Sequence, residues 1–419
     1  MNASSTMAPP QRVLYVVSLF PCWSETFIVR EIEQLIARGV DIRILSLKPP
    51  SETLVQARAN ALMGRVIGPR SWAQELPAVL RALIKQPLRV IGILWQLVWS
   101  LWTQPFALGK SLIALWRTLA ALPQLRGFDP EWIHAHWATY PSTIAWSLAR
   151  LLQRPFSFTS HAHDIFVEDQ LLRRKLADAD LAITISNYNV AYLGRWGASA
   201  LGERLQVVHC GVDFSEFSAH LDGRKAGRIA SVGRLDPIKG FHVLIPALQH
   251  LLQRGVVFDC EVIGEGPQRA ELEAERDRSG LTTRLHFPGA QPQERVRAEL
   301  QSAAIVVMPS VRTREGNQDG IPVALMEAMA SGAAVISTTV SGIPELIEHE
   351  RDGLLVPPGD AQALADAIER LLRDAALRRR LGEAARLRVQ REFDAHTEAD
   401  RLLALITASR AKTNKGAAA

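Results

Sequence analysis

Short apolar runs alternate with amphipathic helical stretches along almost all of this 419-residue chain. Residues 13–19 (VLYVVSL) are β-branched and aromatic, the make-up of a strand buried on both faces. Ser24 stands where it caps a helix running to about Arg38, and Gly39 supplies the stop. Residues 40–47 (VDIRILSL) read as the next strand. The alternation returns with strands near 132–135, 156–160, 181–185 and 205–209 and helices over 141–152 and 187–195. Residues 211–227 are polar, carry Gly and charge, and lose periodicity, which marks a change of domain. A second series opens with RIASVGR (228–234). It continues through a helix near 240–253, strand 257–263, helix 267–278, strands 284–287 and 304–308, helix 321–330 and strand 333–337.

Repeated strand–helix–strand units build parallel sheets. The expectation is two doubly wound α/β domains, 1–213 and 228–395, joined by a linker at 214–227. A last helix over 396–411 crosses back to complete the first domain. Ligands in such sheets sit beyond the carboxyl ends of the strands, so a central cleft between the domains is the expected site.

Composition excludes several classes. With 47% hydrophobic and 22% charged residues the chain is neither disordered nor fibrous. Three scattered cysteines (Cys22, Cys210, Cys260) build neither a disulfide scaffold nor a zinc cluster. The first twelve residues lack an apolar core segment, and a cytoplasmic chain is expected. The net charge of +5 is unevenly spread, with 21 basic against 15 acidic residues in 1–213. Residues 50–126 alone hold nine basic and two acidic side chains, which implies an anionic partner near that segment.

That segment includes LRVIGILWQLVWSLW (88–102), apolar almost all round, with Trp95, Trp99 and Trp102 on one helical face. ALGKSLIALWRTLAAL (107–122) follows with Lys110 and Arg117. Neither has the ~20 uninterrupted apolar residues of a membrane span. Two placements fit: a pair of core helices, or a pair lying in a membrane interface against anionic lipid. The neighbouring charge favours the second.

Three sites in the second half suit phosphate chemistry. In VGRLDPIKG (232–240) a strand ends, Gly233 turns the backbone, and Arg234 and Lys239 project near a helix start, a pyrophosphate clamp in outline. GEGP (264–267) sits at another strand end, where Gly264 and Gly266 suit either a dinucleotide-type loop or a plain tight turn. EGNQDGIPVALMEAMA (315–330) leads an acidic, Gly-rich loop into a helix, with Glu327 among Ala, Leu and Met. A carboxylate there accepts two hydrogen bonds from a ribose diol, and otherwise is a surface glutamate.

These motifs together resemble the family-4 retaining glycosyltransferases. Asp319 and Glu327 are separated by seven positions and followed by AMASGAAVIST and GIPELI (342–347), while VGRLDPIKG, GEGP and DGLLVPPGD (352–360) stand in that family's order. FPCWSETFIVREI (20–32) and FTSHAHDIF (158–166) resemble the colanic-acid and exopolysaccharide subgroup. The resemblance covers nearly the whole chain. It implies the GT-B fold, a nucleotide-sugar donor bound by the second domain, and a glycan or lipid-linked oligosaccharide acceptor. Carried over, Arg234 and Lys239 hold the donor diphosphate, Glu327 the ribose and Asp319 the transferred sugar. Gly320 and Ile321 offer backbone amides, and His161 lies over the donor sugar. Many members have Glu where this chain has Asp319. The first-domain loop, Gly-rich in many members, is Cys22-Trp23-Ser24-Glu25-Thr26 here. Ser24, Glu25 and Thr26, with His136 and Asp164, are the acceptor-side candidates. No cofactor, metal or nucleic acid is expected.

Other chemistries have weaker footing. His134-Ala135-His136 and His161-Ala162-His163 are HxH pairs at strand ends, as in a metal hydrolase, but no further ligand stands at a later strand end. Asp178-Ala179-Asp180 spells a metal-binding motif yet precedes a strand, where helix-end and turn roles suffice. A nucleotide-sugar epimerase keeps the fold but lacks the VGRLDPIKG and Asp-x7-Glu pairing.

Overall fold

The computed structural model describes residues 8–22, 25–50, 56–168, 171–218 and 223–418. It divides into two units, Met1–His209 with Glu398–Ala419, and Cys210–Thr397.

The first unit is a seven-stranded, wholly parallel sheet: β1 (Arg12–Leu19), β2 (Asp41–Lys48), β3 (Val66–Ile67), β4 (Trp132–His136), β5 (Phe156–Ser160), β6 (Leu181–Thr184) and β7 (Leu205–Val207). Their order is β3-β2-β1-β4-β5-β6-β7, so the winding reverses between β1 and β4. Alternation sorts the side chains. Val13, Tyr15 and Val17 join Trp132 in a core with the helix Thr26–Ala37 and with Leu402 and Ile406 of the last helix. Leu14, Val16, Ile133 and Ala135 face the opposite core, under the helices Trp72–Lys85, Pro87–Leu101, Pro105–Phe128 and Tyr140–Leu152.

The second unit holds β8 (Lys225–Val232), β9 (Asp259–Ile263), β10 (Leu285–Gly289), β11 (Ala303–Met308), β12 (Ala334–Thr338) and β13 (Leu354–Val356). The order β10-β9-β8-β11-β12-β13 is again parallel and reverses between β8 and β11. The helix Phe241–Gln253 covers one face, and Val323–Ala330 with Ala375–Glu392 covers the other.

Of the stretch expected to link the domains, the described residues 214–218 and 223–227 belong to the second unit. Phe217 is fully buried, Val212 pairs with Asp394, and β8 begins at Lys225, three residues before the expected strand. The last helix, Ala395–Ala418, returns to the first unit. Arg410 pairs with Glu131 at 2.5 Å, and Ser409 Oγ donates to the Asp180 carbonyl at 2.9 Å. The expected cap Ser24 lies outside the described residues, and the helix it precedes starts at Thr26. Among the described residues no helix is long and apolar enough to cross a membrane.

Candidate active site

Both groups of candidate residues lie where a winding reverses, the place at which parallel sheets open a crevice at their carboxyl ends. In the second unit the loop after β8 carries Gly233, Arg234 and Lys239. The loop after β11 carries Ser310 and, nine residues on, Asp319. Asp236 accepts a hydrogen bond from the Ile238 amide and starts a single 3₁₀ turn, Pro237–Lys239. That turn presents the lysine. The Lys239 stem packs on Gly233, where a Cβ would stand 3.5 Å from it. Its ammonium donates to Asp319 Oδ2 at 2.5 Å, and Ser310 Oγ reaches the same oxygen at 3.3 Å.

Lys239 and Asp319 are therefore joined, 80 residues apart in sequence. Arg234, one position past Gly233, is exposed, and its side chain makes no hydrogen bond or ion pair among the described residues. A guanidinium brings five donors and an ammonium three, a donor set that suits an anion at a strand end.

Gly264 and Gly266 are placed by packing. A Cβ on Gly264 would lie 1.8 Å from the Gly233 carbonyl oxygen, and one on Gly266 within 2.5 Å of Leu235 backbone. With those clearances two loops zip together: Gly233 N donates to the Ile263 carbonyl, and Leu235 N to that of Glu265, both at 3.0 Å. The GEGP turn thus fixes the position of Arg234, the tight-turn alternative taken to a functional end.

Ahead of the helix Val323–Ala330, the amides of Gly320 and Ile321 make no backbone hydrogen bond among the described residues. Free amides before a helix start favour an anion or a hydroxyl oxygen. Glu327, four residues into that helix, is 4% exposed and accepts from Gln293 Nε2 at 3.3 Å. It is thus no ordinary surface glutamate.

In the first unit the two HxH pairs do not form one site. His136 and His161 meet, Nδ1 to Nε2 at 3.1 Å. His134 turns inward, its Nδ1 at 2.7 Å from Ser157 Oγ and its Nε2 at 3.2 Å from Thr159 Oγ1. His163 is half exposed and faces Glu168 at 3.8 Å. The expected lack of a further ligand needs correcting, since Glu31 lies beside the histidines. Glu31, His134 and His136 offer atoms all within 4.8 Å of one another. Spacing along strand ends does not find it, because this carboxylate comes from the helix Thr26–Ala37. Both ring nitrogens of His134 and of His136 are already engaged within the protein, which suits a hydrogen-bond chain better than a metal centre.

That chain runs from Tyr15, whose hydroxyl donates to Glu31 Oε1 at 2.7 Å, to His136 Nε2, 3.0 Å from the same oxygen, and on to His161. Phe27 and Trp137 flank the His161 ring, with centroids 4.9 and 4.5 Å away. Trp137 adopts a left-handed φ of 76°, costly for an aromatic residue, and its indole donates to Glu25 at 3.0 Å. Asn189 Nδ2 holds the His161 carbonyl at 2.5 Å.

Asp164 is turned to the backbone. It is buried, and its carboxylate accepts from the amides of Ala138 (2.6 Å), His161 (3.0 Å) and Ala162 (2.8 Å). Lys175, also buried, holds the carbonyls of Ala138 and Thr139. Thr26 opens its helix, and Ser24 lies outside the described residues. Asp178 accepts from Trp146, Arg150 and Arg174, and Asp180 from the Phe156 amide, so the Asp-x-Asp pair ties elements together as expected.

Burial, with His136 alongside, holds the His134 imidazolium down to about 3. Burial pulls the Glu31 carboxyl up, but His136, His134 and the Tyr15 hydroxyl outweigh it and leave it at about 2. Both folded values lie below the ordinary ones, so each group gives stability at higher pH that is lost on acidification. For His134 the loss runs from the ordinary 6.5 down to about 3, at up to about 1.4 kcal/mol per pH unit. Glu31 adds a lower window, from 4.5 to about 2. Urea midpoints should fall between about pH 7 and about pH 5, and fall less in His134→Gln. An equal fall in both proteins would contradict the buried neutral ring.

Two family models match in succession: Glycosyltransferase Family 4 over residues 24–216 and Glycosyl transferases group 1 over 215–388. A glycosyltransferase of Escherichia coli named for colanic acid biosynthesis, WcaL, is 32% identical over 85% of this chain and 89% of its own. The amylovoran biosynthesis glycosyltransferase AmsK of Erwinia amylovora is 39% identical over 53% of this chain and 55% of its own. Among solved structures, sucrose-phosphate synthase of Thermosynechococcus elongatus superposes with a TM-score of 0.71 at 22% identity, over 98% of this chain and all of that one. HepE of Anabaena, in complex with UDP and glucose, gives 0.67 at 17% identity over 94% of this chain and 98% of its own. With both family models in chain order and a full-length relative at this identity, the chain belongs to the family-4 glycosyltransferases of the GT-B fold.

Proposed function

We propose that this glycosyltransferase moves a sugar, with retention of anomeric configuration, from a nucleoside-diphosphate sugar to a glycan or lipid-linked oligosaccharide during exopolysaccharide assembly. It works in the cytoplasm, peripheral to a membrane and without a metal. The observation that supports this is the Lys239–Asp319 pair at the reversal point of the second sheet, with Arg234 on the same loop as Lys239 and the Gly320 and Ile321 amides directly after Asp319. The colanic-acid and amylovoran names of the relatives support the polysaccharide class, and the UDP complexes of HepE support the donor class.

Breaking the bond between the anomeric carbon and the diphosphate leaves its electron pair on a phosphate oxygen. Arg234 and Lys239 stabilise that charge in place of a metal. Asp319, which holds Lys239 beforehand, is placed to receive sugar hydroxyls, and Glu327 the ribose diol. The acceptor hydroxyl attacks the same face of the sugar and passes its proton to the departing phosphate oxygen. His161, held by His136 and Glu31, is the candidate that the first unit supplies to the reaction.

A thermal-shift screen of UDP-, GDP- and ADP-sugars identifies the donor, because binding only the folded chain raises its apparent stability. For that donor, Glu327→Gln should weaken binding by about tenfold or more, the worth of a charge-assisted pair of hydrogen bonds. Unchanged affinity would remove the ribose role.

A further inference from the structure

The helices of 72–128 each carry two apolar stripes. One enters the first unit's core through Val79, Val90, Ile93, Leu97, Leu101 and Leu115. The other points away from it. On Trp72–Lys85 the outer stripe repeats every four residues as Trp72, Leu76, Leu80 and Ile84, all exposed. On Pro87–Leu101 and just beyond, it continues as Leu88, Ile91, Trp95, Val98, Trp99 and Trp102, where Trp95 and Trp99 stack with centroids 5.8 Å apart and stay 64% and 70% exposed. Phe106, 88% exposed, and Ile113 extend it onto Pro105–Phe128. The three helices pack on one another within the same unit. Soluble monomers seldom leave so much contiguous apolar surface uncovered.

Charge identifies what covers it. Between 72 and 128 the sequence has one carboxylate, Glu75, and it is buried, bound by Arg117 at 2.6 Å, Trp116 Nε1 at 2.9 Å and the Arg70 amide at 2.8 Å. The outer face therefore carries no negative charge. Arg81, Lys85 and Arg89 border the stripe and make no ion pair among the described residues. A second copy of this face would set these cations against their own kind, whereas an anionic lipid surface complements them. Apolar side chains with flanking tryptophans and unpaired cations are what an interfacial helix presents to head groups.

We propose that the outer face of the helices Trp72–Lys85, Pro87–Leu101 and the start of Pro105–Phe128 lies on an anionic phospholipid surface, with the tryptophans at head-group depth and Arg81, Lys85 and Arg89 against lipid phosphates. This deepens the peripheral placement above by naming the surface and its partner. A basic residue near such a surface is worth roughly fivefold in partitioning, so three together give about a hundredfold.

The test is co-sedimentation of the full chain with vesicles of phosphatidylcholine alone or with phosphatidylglycerol added. The intact protein should pellet with the anionic vesicles and be released by salt. Arg81→Glu/Lys85→Glu/Arg89→Glu should lower that binding about a hundredfold, and Trp95→Ser/Trp99→Ser/Trp102→Ser should do likewise. Unshifted thermal midpoints would show that both variants fold. Absence of vesicle binding, binding blind to lipid charge and to the substitutions, or a concentration-dependent dimer abolished by the tryptophan changes would each overturn the proposal. Donor-dependent release of nucleoside diphosphate, measured without lipid, judges the transferase reading separately.

Discussion

Arg234→Ala and Lys239→Ala should each lower transfer turnover by about 10²–10³, the usual effect of removing one preorganised donor from a developing anion. The two should differ in stability. The Arg234 guanidinium is exposed and makes no hydrogen bond or ion pair among the described residues, so its truncation should leave the thermal midpoint unchanged. Lys239 neutralises Asp319, which is 13% exposed and otherwise touches Ser310. Truncating the lysine leaves that carboxylate short of a partner, at a cost of about 1–3 kcal/mol. Steady-state kinetics beside thermal melts separate the two effects. Near-normal turnover in both variants would remove the charge-neutralising mechanism.

Gly264→Ala should be among the most damaging single methyls in the second unit. Its Cβ would stand 1.8 Å from the Gly233 carbonyl oxygen, a backbone atom with no rotamer to yield. The loops must separate, straining the 3.0 Å bonds from Gly233 N to the Ile263 carbonyl and from Leu235 N to that of Glu265. Overpacking against backbone costs about 3 kcal/mol, enough to lower the melting temperature by roughly 6–12 °C in a unit of this size. Because those loops seat Arg234, donor affinity should fall as well. A melting temperature and donor affinity both close to the parent's would mean the loops have room the structure does not show.

Much of the fold was legible because parallel strands buried on both faces read as unbroken apolar runs. β1, β5 and β11 lie within a residue or so of expectation for that reason. The short edge strands β3 and β13 carry too few residues to announce themselves. The helix Trp72–Lys85 hid because apolar residues on two faces blur a single-face period.

In the candidate site, Arg234, Lys239, Asp319 and Glu327 were legible from motif spacing. The ion pair between Lys239 and Asp319 was not, because it depends on β8 and β11 being neighbours. Glu31 and Tyr15 were missed for the same reason. One signal existed: Glu31 lies beside the buried stripe Ile28, Ile32 and Leu35, where a carboxylate needs donors. The three amides that Asp164 holds were not legible, because they come from two loops that only the fold brings together.

A crystal structure of the chain with the nucleoside diphosphate that most raises its melting temperature tests the charge mechanism most directly. The diphosphate should lie within hydrogen-bond reach of Arg234 and Lys239, with Lys239 drawn from Asp319, and the ribose hydroxyls should be on Glu327. A nucleotide bound elsewhere, with Lys239 still on Asp319 and Arg234 still in solvent, would contradict it.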